Sequence, residues 1–369
     1  MSARPIPFLS LVPRDDAAAV RSAIDRVIAR GWFILGPEVE AFEQEFAAAS
    51  GAAHAVAVGT GTDAIALVLR GLGIGAGDEV ITTPLSAAYS ALAIMMAGAR
   101  PVFADIDPVR LTLDPQRVAD AIGPRTRAIL PVHLYGQPAD MAVLAEIAAR
   151  RGLAIVEDCC QAHLATAGGR PVGTIGVAGA FSFYPTKNLG ALGDGGAIVT
   201  GDAALADRLK RLRNGGQTDR YRHVEPGVNS RLDEMQAAIL RARLPSLMNW
   251  TARRRVLATR YRRQLAGDGI EIVPEFDAGH VYHLFVVRTT ARRELQAHLA
   301  ARGIETLIHY PVPIPRQPAL AGVDPAECPI ASRACGEILS LPLHPALADD
   351  DIDFITQAVH AFAPQRQVF

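Results

Sequence analysis

Lysine is nearly absent from this chain of 369 residues, which contains only Lys187 and Lys210. The other basic residues are arginines, and 37 basic against 38 acidic residues leave a formal net charge of −1. Proteins that bind nucleic acid usually present a basic face, so this balance argues against nucleic acid as a partner. Because the chain uses arginine for surface charge, a lysine retained in an apolar segment indicates a chemical role.

Cysteine is also scarce, and Cys159, Cys160, Cys328 and Cys335 form no C-x-x-C pair. This spacing argues against zinc and redox motifs, and we predict no metal site. So few cysteines are typical of a reducing compartment. Every apolar run is interrupted before the roughly 18 residues that a membrane span needs, and the first residues lack a signal-peptide pattern. The sequence therefore predicts a soluble cytoplasmic protein with no membrane partner.

Short β-rich runs alternate with helical patterns along the first two thirds of the chain. Strands are predicted at His54–Val58, Glu79–Thr83, Pro101–Ala104, Ala128–His133, Leu153–Val156, Ala180–Tyr184 and Gly196–Thr200. Helices are predicted at Thr62–Leu72, Ser86–Ala97, Met141–Arg151 and Leu205–Arg213. Because parallel strands need crossover helices, this alternation predicts an α/β fold with a mostly parallel sheet flanked by helices.

The alternation changes in the last third of the chain. The predicted elements there are a helical region Leu232–Leu265 interrupted at Pro245, a strand His280–Arg288, and helices Ala291–Arg302 and Asp349–Ala363. We therefore predict a domain boundary near Asn249. A large domain of residues 1–248, with a short N-terminal segment, would precede a smaller C-terminal α+β domain of residues 249–369.

A short turn, Gly59-Thr60-Gly61-Thr62-Asp63, joins the first predicted strand to the first predicted helix. Small residues let the backbone approach a phosphate closely, and the N–H groups at a helix N-terminus attract an anion. Gly61 and Thr62 are therefore candidate phosphate ligands. A tight turn with a threonine N-cap has the same pattern, so this motif alone leaves both interpretations open.

Asp158 follows the predicted strand Leu153–Val156. Ligands of parallel α/β sheets bind at the carboxyl ends of the strands, where a carboxylate can bond a cationic ring nitrogen. Aspartate is also a common helix N-cap, and taken by itself this structural interpretation is favoured.

Lys187 lies just beyond a predicted strand that contains Ser182, in a loop that ends in glycines. A lysine amine can hold a carbonyl cofactor covalently once a desolvated site favours loss of its proton. Asp158 and Lys187 are 29 residues apart, which permits a return to one pocket. Together with the Gly/Thr turn they supply what pyridoxal 5′-phosphate (PLP) needs: a phosphate cup, a carboxylate for the pyridine nitrogen and a Schiff-base lysine.

Further motifs accompany these three from about Pro7 to about Asp353. They are Gly31–Val39, Pro131–Gln137, Gly193–Gly196, Gly227–Gln236, His309–Pro311 and Leu341–Leu343. On these motifs the chain resembles the nucleotide-sugar aminotransferases of the DegT–StrS group, which are PLP enzymes of fold type I. The family normally has an aromatic ring over the cofactor after the second strand, where this chain has Ala88 with Tyr89 beside it.

The resemblance implies a role for each matching residue. Lys187 would hold the cofactor and act as the catalytic acid–base. The other cofactor-binding residues would be Asp158 at the pyridine nitrogen, Gln161 at the ring hydroxyl, Gly61, Thr62 and Ser182 at the phosphate, and Asn229 at the phosphate of a neighbouring subunit. The last role implies a homodimer with shared active sites.

The resemblance also implies a reaction, the transfer of an amine from L-glutamate to the 3-keto group of a dTDP-linked 6-deoxyhexose. His309 and Tyr310 would lie near this sugar nucleotide, and His163 is a candidate substrate-binding residue, although a structural role is commoner for such a histidine. Two alternatives stay open. A PLP-dependent sugar dehydratase would have histidine in place of Lys187, and a PLP-binding regulator would have no use for the Asp158–Lys187 pair.

The run Arg253-Arg254-Arg255 has two interpretations as well. It could bind a phosphate of the substrate, but a solvated helix face is the favoured interpretation.

Overall fold

The computed structural model describes residues 5–13, 15–265, 270–324 and 326–362. Within them the strands are β1 (His54–Val58), β2 (Glu79–Thr82), β3 (Arg100–Phe103), β4 (Thr126–Leu130), β5 (Ala154–Asp158), β6 (Thr166–Ala167), β7 (Arg170–Pro171), β8 (Ala178–Ser182), β9 (Gly196–Thr200), β10 (Gln217–Asp219), β11 (Arg222–His223), β12 (Glu271–Ile272), β13 (Phe285–Arg288) and β14 (Ile338–Leu341).

The α-helices of the same ranges are α1 (Ala17–Arg30), α2 (Pro37–Ala49), α3 (Gly61–Gly71), α4 (Tyr89–Met96), α5 (Pro115–Ala121), α6 (Met141–Arg151), α7 (Ala203–Leu212), α8 (Glu234–Arg243), α9 (Leu247–Gln264), α10 (Arg292–Ala300), α11 (Pro329–Glu337) and α12 (Asp349–His360). None of these helices combines the length and apolar character that a membrane crossing requires.

Seven strands form the large sheet in the order β1-β9-β8-β5-β4-β2-β3. Neighbours from β8 to β3 are parallel, whereas β9 pairs antiparallel with both β1 and β8. All strands except β9 therefore end at the same edge of the sheet. This carboxyl edge is where the loops that follow β1, β5 and β8 meet.

The two faces of the large sheet are covered by different helices. Val156 and Ala180 pack in the core that contains α3, whereas Ile155 and Phe181 pack in cores on the opposite face. Side chains alternate between the faces of a strand, so Asp158 lies on the α3 face, two residues after Val156. Burial on both faces explains why these strands are apolar along their whole length.

A second, antiparallel sheet is formed by β12, β13 and β14. Its core includes Tyr261 of α9 and Ile355 of α12, and the N-terminal Ile6 packs there too. Residue 249 lies in the first turn of α9, and the division of the chain at this position stays a prediction.

The predicted α/β fold, with a mostly parallel sheet flanked by helices, is confirmed. The bounds of β1, α6 and β9 are those that the sequence predicts, and Pro245 lies in the 3-10 turn between α8 and α9. The prediction of a strand over His280–Arg288 is wrong for its first half, since only Phe285–Arg288 is a strand. The final helix ends at His360, and Ala363, its predicted end, lies outside the described residues.

Candidate active site

The three predicted motifs meet at the carboxyl edge of the large sheet. The Gly/Thr turn follows β1, Asp158 ends β5, and Lys187 follows β8. Ser182 and Asp158 both lie on the α3 face, and α3 itself begins at Gly61. Residues far apart in the sequence are thereby brought to the N-terminus of one helix.

The turn before α3 is fixed by hydrogen bonds that leave part of its backbone open. The Thr60 hydroxyl accepts from the Asp63 N–H at 3.0 Å as an N-cap. The Ser230 hydroxyl accepts from the Gly59 N–H at 2.9 Å and donates to the Asp63 carboxylate at 2.7 Å. No acceptor within the described ranges meets the N–H groups of residues 61 and 62. The start of α3 thus has free donors for an anion.

Gly61 is in close contact with the rest of the site. A Cβ atom at this position would lie 2.7 Å from the Cys160 sulfur and 2.8 Å from the Ser182 Cβ. No other residue fits there without displacing these neighbours. The threonine N-cap of the structural interpretation is therefore present, in a tightly packed turn, and phosphate binding at Gly61 and Thr62 stays a prediction.

Asp158 is only 5% exposed. Its Oδ2 accepts from the Ser90 hydroxyl at 2.7 Å, and its Oδ1 accepts from the Cys160 N–H at 3.1 Å. Asp158 does not cap a helix, so the structural interpretation favoured by its residue type fails. Ser90 was not predicted, although it lies in the first turn of α4, the helix that follows β2, and therefore at the same edge of the sheet.

Lys187 is partly buried in a turn whose backbone N–H donates to the Tyr184 carbonyl at 2.8 Å. Burial lowers the pKa of the Lys187 amine, and nearby Cys160 and Asp158 act in the opposite direction. Among the described residues, the amine has no hydrogen bond or ion pair. Lys210, by contrast, is exposed. The site therefore holds an amine that loses its proton more readily than a surface lysine.

Gln161 is oriented by two tyrosines. Its side-chain oxygen accepts from the Tyr135 N–H at 2.7 Å, and its nitrogen donates to the Tyr310 hydroxyl at 3.0 Å. A backbone N–H can only donate, so it fixes which end of the amide is the oxygen. The Tyr135 hydroxyl in turn donates to the His309 carbonyl at 2.5 Å. Tyr135 was not predicted, because nothing in the local sequence indicates these contacts.

His309 and Tyr310 lie together beside this network. The His309 ring stacks on Phe8 at 5.6 Å, and its Nδ1 lies 2.9 Å from the Ser340 hydroxyl. Burial, followed by the charge of Lys187, lowers the pKa of His309 to about 4. Burial also raises the pKa of the Tyr310 hydroxyl. Both side chains are therefore neutral near pH 7.

His163 does not join these residues. It is fully buried on the opposite face of the sheet, where its ring centroid is 5.6 Å from that of Phe181 and 5.7 Å from that of Phe183. Within the described ranges, neither ring nitrogen has a partner at hydrogen-bond geometry. Burial, with a smaller effect of Lys187, lowers its pKa to about 3. The geometry favours the structural interpretation of this histidine.

Asn229 and Tyr89 lie at the surface. Asn229 is exposed in a segment tied to the end of α7 by the Ser230 N–H, which donates to the Arg213 carbonyl at 2.9 Å. Tyr89 is 63% exposed, whereas Ala88 is partly buried at the start of α4. The exposed Tyr89 ring is therefore not held over the site by burial in the described part of this chain.

The donor set fits a phosphorylated pyridine aldehyde. Free N–H groups at the start of α3 suit a phosphate, and the Asp158 carboxylate suits a cationic ring nitrogen. An unpaired lysine amine of lowered pKa suits an aldehyde. Gly61 has no side chain, so a bound phosphate can approach its backbone closely.

Known proteins match the chain along almost its whole length. A transaminase for dTDP-3-amino-3,4,6-trideoxy-alpha-D-glucose from Streptomyces venezuelae is 51% identical over 364 residues, which cover 97% of this chain and 96% of that protein. The crystal structure of S. venezuelae DesV in complex with a ketimine intermediate superposes with a TM-score of 0.94 at 51% identity, covering 97% of this chain and 98% of that one.

A more distant relative has been solved with a bound cofactor. NtdA from Bacillus subtilis with bound cofactor PMP superposes with a TM-score of 0.89 at 31% identity, covering 97% of this chain and 86% of that one. The model of the DegT/DnrJ/EryC1/StrS aminotransferase family matches residues 14–360. The resemblance inferred from the motifs is thereby confirmed, and the chain belongs to the DegT/DnrJ/EryC1/StrS aminotransferase family.

Proposed function

We propose that this aminotransferase uses PLP bound at Lys187 to transfer an amino group from L-glutamate to the C3 keto group of a dTDP-linked 6-deoxyhexose. The S. venezuelae transaminase, 51% identical, is named for a dTDP-3-amino sugar, which supports both the nucleotide and the carbon. The bound PMP of the B. subtilis relative supports the cofactor.

The observation that carries the proposal is the meeting of Lys187, Asp158 and the start of α3 at one edge of the sheet. PLP, when bound, supplies an electron-accepting ring that stabilises a carbanion at the amino carbon. The Lys187 amine would hold the cofactor and, once released, move the proton between carbons. Asp158 would keep the ring nitrogen protonated through a charge-assisted hydrogen bond.

The remaining predicted residues have roles that follow from their positions. Gly61, Thr62 and Ser182 would hold the phosphate, and the oriented amide of Gln161 would face the ring hydroxyl. His309 and Tyr310 would line the sugar nucleotide side. Because both are neutral near pH 7, they would contribute hydrogen bonds rather than charge.

A homodimer with shared active sites is part of the proposal. The exposed Asn229 would reach the phosphate of the neighbouring subunit. Large apolar side chains are also exposed, among them Trp32 at 54% and Leu192 at 44%. Apolar surface of this kind is typical of a protein interface. All four cysteines are free, which is consistent with the predicted cytoplasmic location.

The test is the absorption spectrum of the purified protein with PLP, before and after addition of L-glutamate. A band near the visible edge that glutamate converts to the PMP spectrum is expected. Lys187→Ala should lack this band, whereas Lys210→Ala, the matched control at the other lysine, should retain it. If no band forms in the wild-type protein with added PLP, the proposal fails.

The acceptor is tested in the second half-reaction. PMP-loaded protein should aminate a dTDP-3-keto-6-deoxyhexose and recover the PLP band. A 4-keto isomer and a UDP-linked 3-keto sugar are the comparisons, and faster amination of either would refute the assignment of carbon or nucleotide.

A further inference from the structure

A cavity of about 430 Å³ opens on the Lys187 loop. Besides Lys187, the cations that line it are Arg243, Arg253 and Arg254, and the carboxylates of Asp15 and Asp16 line it as well. We call it the arginine cavity. It lies between the N-terminal segment, the loop after β8, the α8–α9 junction and residues 344–346 after β14, so residues from four parts of the chain enclose it.

Two of its arginines are neutralised by carboxylates. Arg243 pairs with Asp16 at 2.7 Å, and Arg253 pairs with Asp349 at 2.8 Å. Arg254 differs from both. It is only 5% exposed, and within the described residues no carboxylate lies within ion-pair distance of its guanidinium. The sequence interpretation of a solvated helix face is therefore wrong for this residue.

Among the described residues, the acceptors of Arg254 are backbone carbonyls, and all of them bond to the same guanidinium nitrogen. Nη1 donates to the Leu343 carbonyl at 2.7 Å and to the Tyr282 and His283 carbonyls at 3.3 and 3.4 Å. Its Nε has no hydrogen-bond partner in the part of the chain that the structure describes. A buried charge is costly unless it is paired, and a guanidinium suits a carboxylate especially well. Arg254 is therefore a buried cation that has no anionic partner among the described residues.

Arg254 and Lys187 line the same cavity and both influence His283. Both line the arginine cavity, and after burial itself the charges of Lys187 and Arg254 are the largest influences that lower the pKa of His283. His283 is held next to the lysine loop by its Nδ1, 3.2 Å from the Asn188 side chain. A small molecule with both an amine and a carboxylate could therefore reach Lys187 and Arg254 together.

We propose that Arg254 binds a carboxylate of the amino donor, so that the donor amine is directed to the Lys187 side of the arginine cavity. This inference rests on the proposed aminotransferase function and adds the residue that selects an amino acid as donor. The diphosphate of the sugar nucleotide is the other anion in the reaction. The donor carboxylate is favoured because it belongs to the same small molecule as the amine that must reach Lys187.

The experiment follows the two half-reactions separately in PLP-loaded protein. In Arg254→Gln, the L-glutamate concentration for half-maximal conversion to PMP should rise about 10- to 100-fold, as expected for loss of a charge-assisted hydrogen bond. Amination of the keto sugar by PMP-loaded Arg254→Gln should keep the wild-type sugar requirement. Arg263→Gln, at an exposed arginine of α9 that does not line the arginine cavity, is the matched control and should need no more glutamate than the wild type.

Arg254→Lys provides a second variant, because it keeps a cation that can still donate to the carbonyls. It should need about 3- to 10-fold more glutamate than the wild type, since an ammonium lacks the two-pronged contact of a guanidinium. Glutarate, which has the carboxylates but no amine, should compete with glutamate in the wild-type protein and more weakly in either Arg254 variant.

The outcomes separate this inference from the proposed function. If wild-type protein converts with glutamate while the variants that fold convert at wild-type concentrations, only the Arg254 assignment is overturned. The same holds if the variants weaken the sugar half-reaction alone, since Arg254 would then serve the diphosphate. If wild-type protein does not respond to glutamate, both the function and the inference fall.

Discussion

Two consecutive carboxylates on β5 have opposite surroundings. Glu157 is fully buried on the face away from α3, where its two oxygens accept from the backbone N–H groups of Gly173, Ile175 and Gly176 at 2.7 to 2.8 Å and from His133 at 3.0 Å. Asp158, on the α3 face, accepts from two donors among the described residues. Glu157 has no capacity left for a ligand, whereas Asp158 does. At the end of β5, the side chain on one face stabilises the fold, whereas the side chain on the other face can still bind a ligand.

The closed face is organised around the Glu157–His133 pair. The His133 Nδ1 accepts from the Ala139 N–H at 3.1 Å, so its Nε2 carries the hydrogen that faces Glu157. Burial raises the pKa of Glu157, but His133 and the N–H groups of Gly176 and Gly173 outweigh it and lower the pKa. Cys159 lies nearby, yet every oxygen of Glu157 is already occupied by donors. The cluster therefore fixes a turn rather than binding a metal.

The largest expected effect is on the closed face. Glu157→Gln places an amide NH₂ against N–H donors and removes the buried charge, so it should lower the free energy of unfolding by about 3–5 kcal/mol. Urea denaturation measures this. Glu146→Gln, at a carboxylate whose side chain is 70% exposed, is the control and should change stability by less than about 0.5 kcal/mol. Equal stability of both variants would refute the division into closed and open faces.

Asp158→Asn should affect chemistry more than stability. Loss of the charged partner for the cofactor ring should slow conversion by glutamate about 100-fold, equivalent to about 2.7 kcal/mol. The free energy of unfolding should change by about 1 kcal/mol or less, because the asparagine oxygen can still accept one of the two hydrogen bonds. Single-turnover kinetics and urea denaturation check the two parts. A variant that loses several kcal/mol of stability but transfers amine at the wild-type rate would contradict the assignment of Asp158 to the chemistry.

At pH 7.5 the smallest effect is expected at His163, whose buried nitrogens lack hydrogen-bond partners among the described residues. His163→Leu should leave amine transfer unchanged and stabilise the fold by about 1 kcal/mol at pH 7.5. Its folded pKa of about 3 lies below the unfolded value, so wild-type stability is complete above pH 6.5 and falls as the pH drops toward 3. The advantage of the variant should therefore grow by up to about 1.4 kcal/mol per pH unit.

Urea denaturation of both proteins at pH 7.5, 6.0 and 5.0 tests this widening gap. A folded His163→Leu protein that no longer transfers amine would instead support the substrate-binding role considered from the sequence. The face away from α3 would then contribute to the reaction, which would contradict the division into a closed and an open face.

Local patterns predicted the elements and the three motifs, because strand alternation, helix caps and glycine turns are properties of neighbouring residues. The contacts that complete the site join distant residues, as in the bond from Gly59 to Ser230 across 171 positions. Periodicity carries no information about such pairs. Periodicity also predicted a strand at Val281, and this prediction is wrong. The Val281 N–H donates to the Gly136 carbonyl, because the chain forms a loop at this position that packs against the site.

The near absence of lysine has a consequence for chemical selectivity. Arginine stays protonated and does not condense with aldehydes, so a reactive aldehyde finds only two side-chain amines on this protein. One of them, Lys210, is exposed on α7, and the other is Lys187. Borohydride would reduce the bond between an aldehyde cofactor and Lys187 and so trap it. Digestion with a protease that cleaves after lysine would then leave one missed cleavage, at the modified Lys187, with almost no background from other lysines.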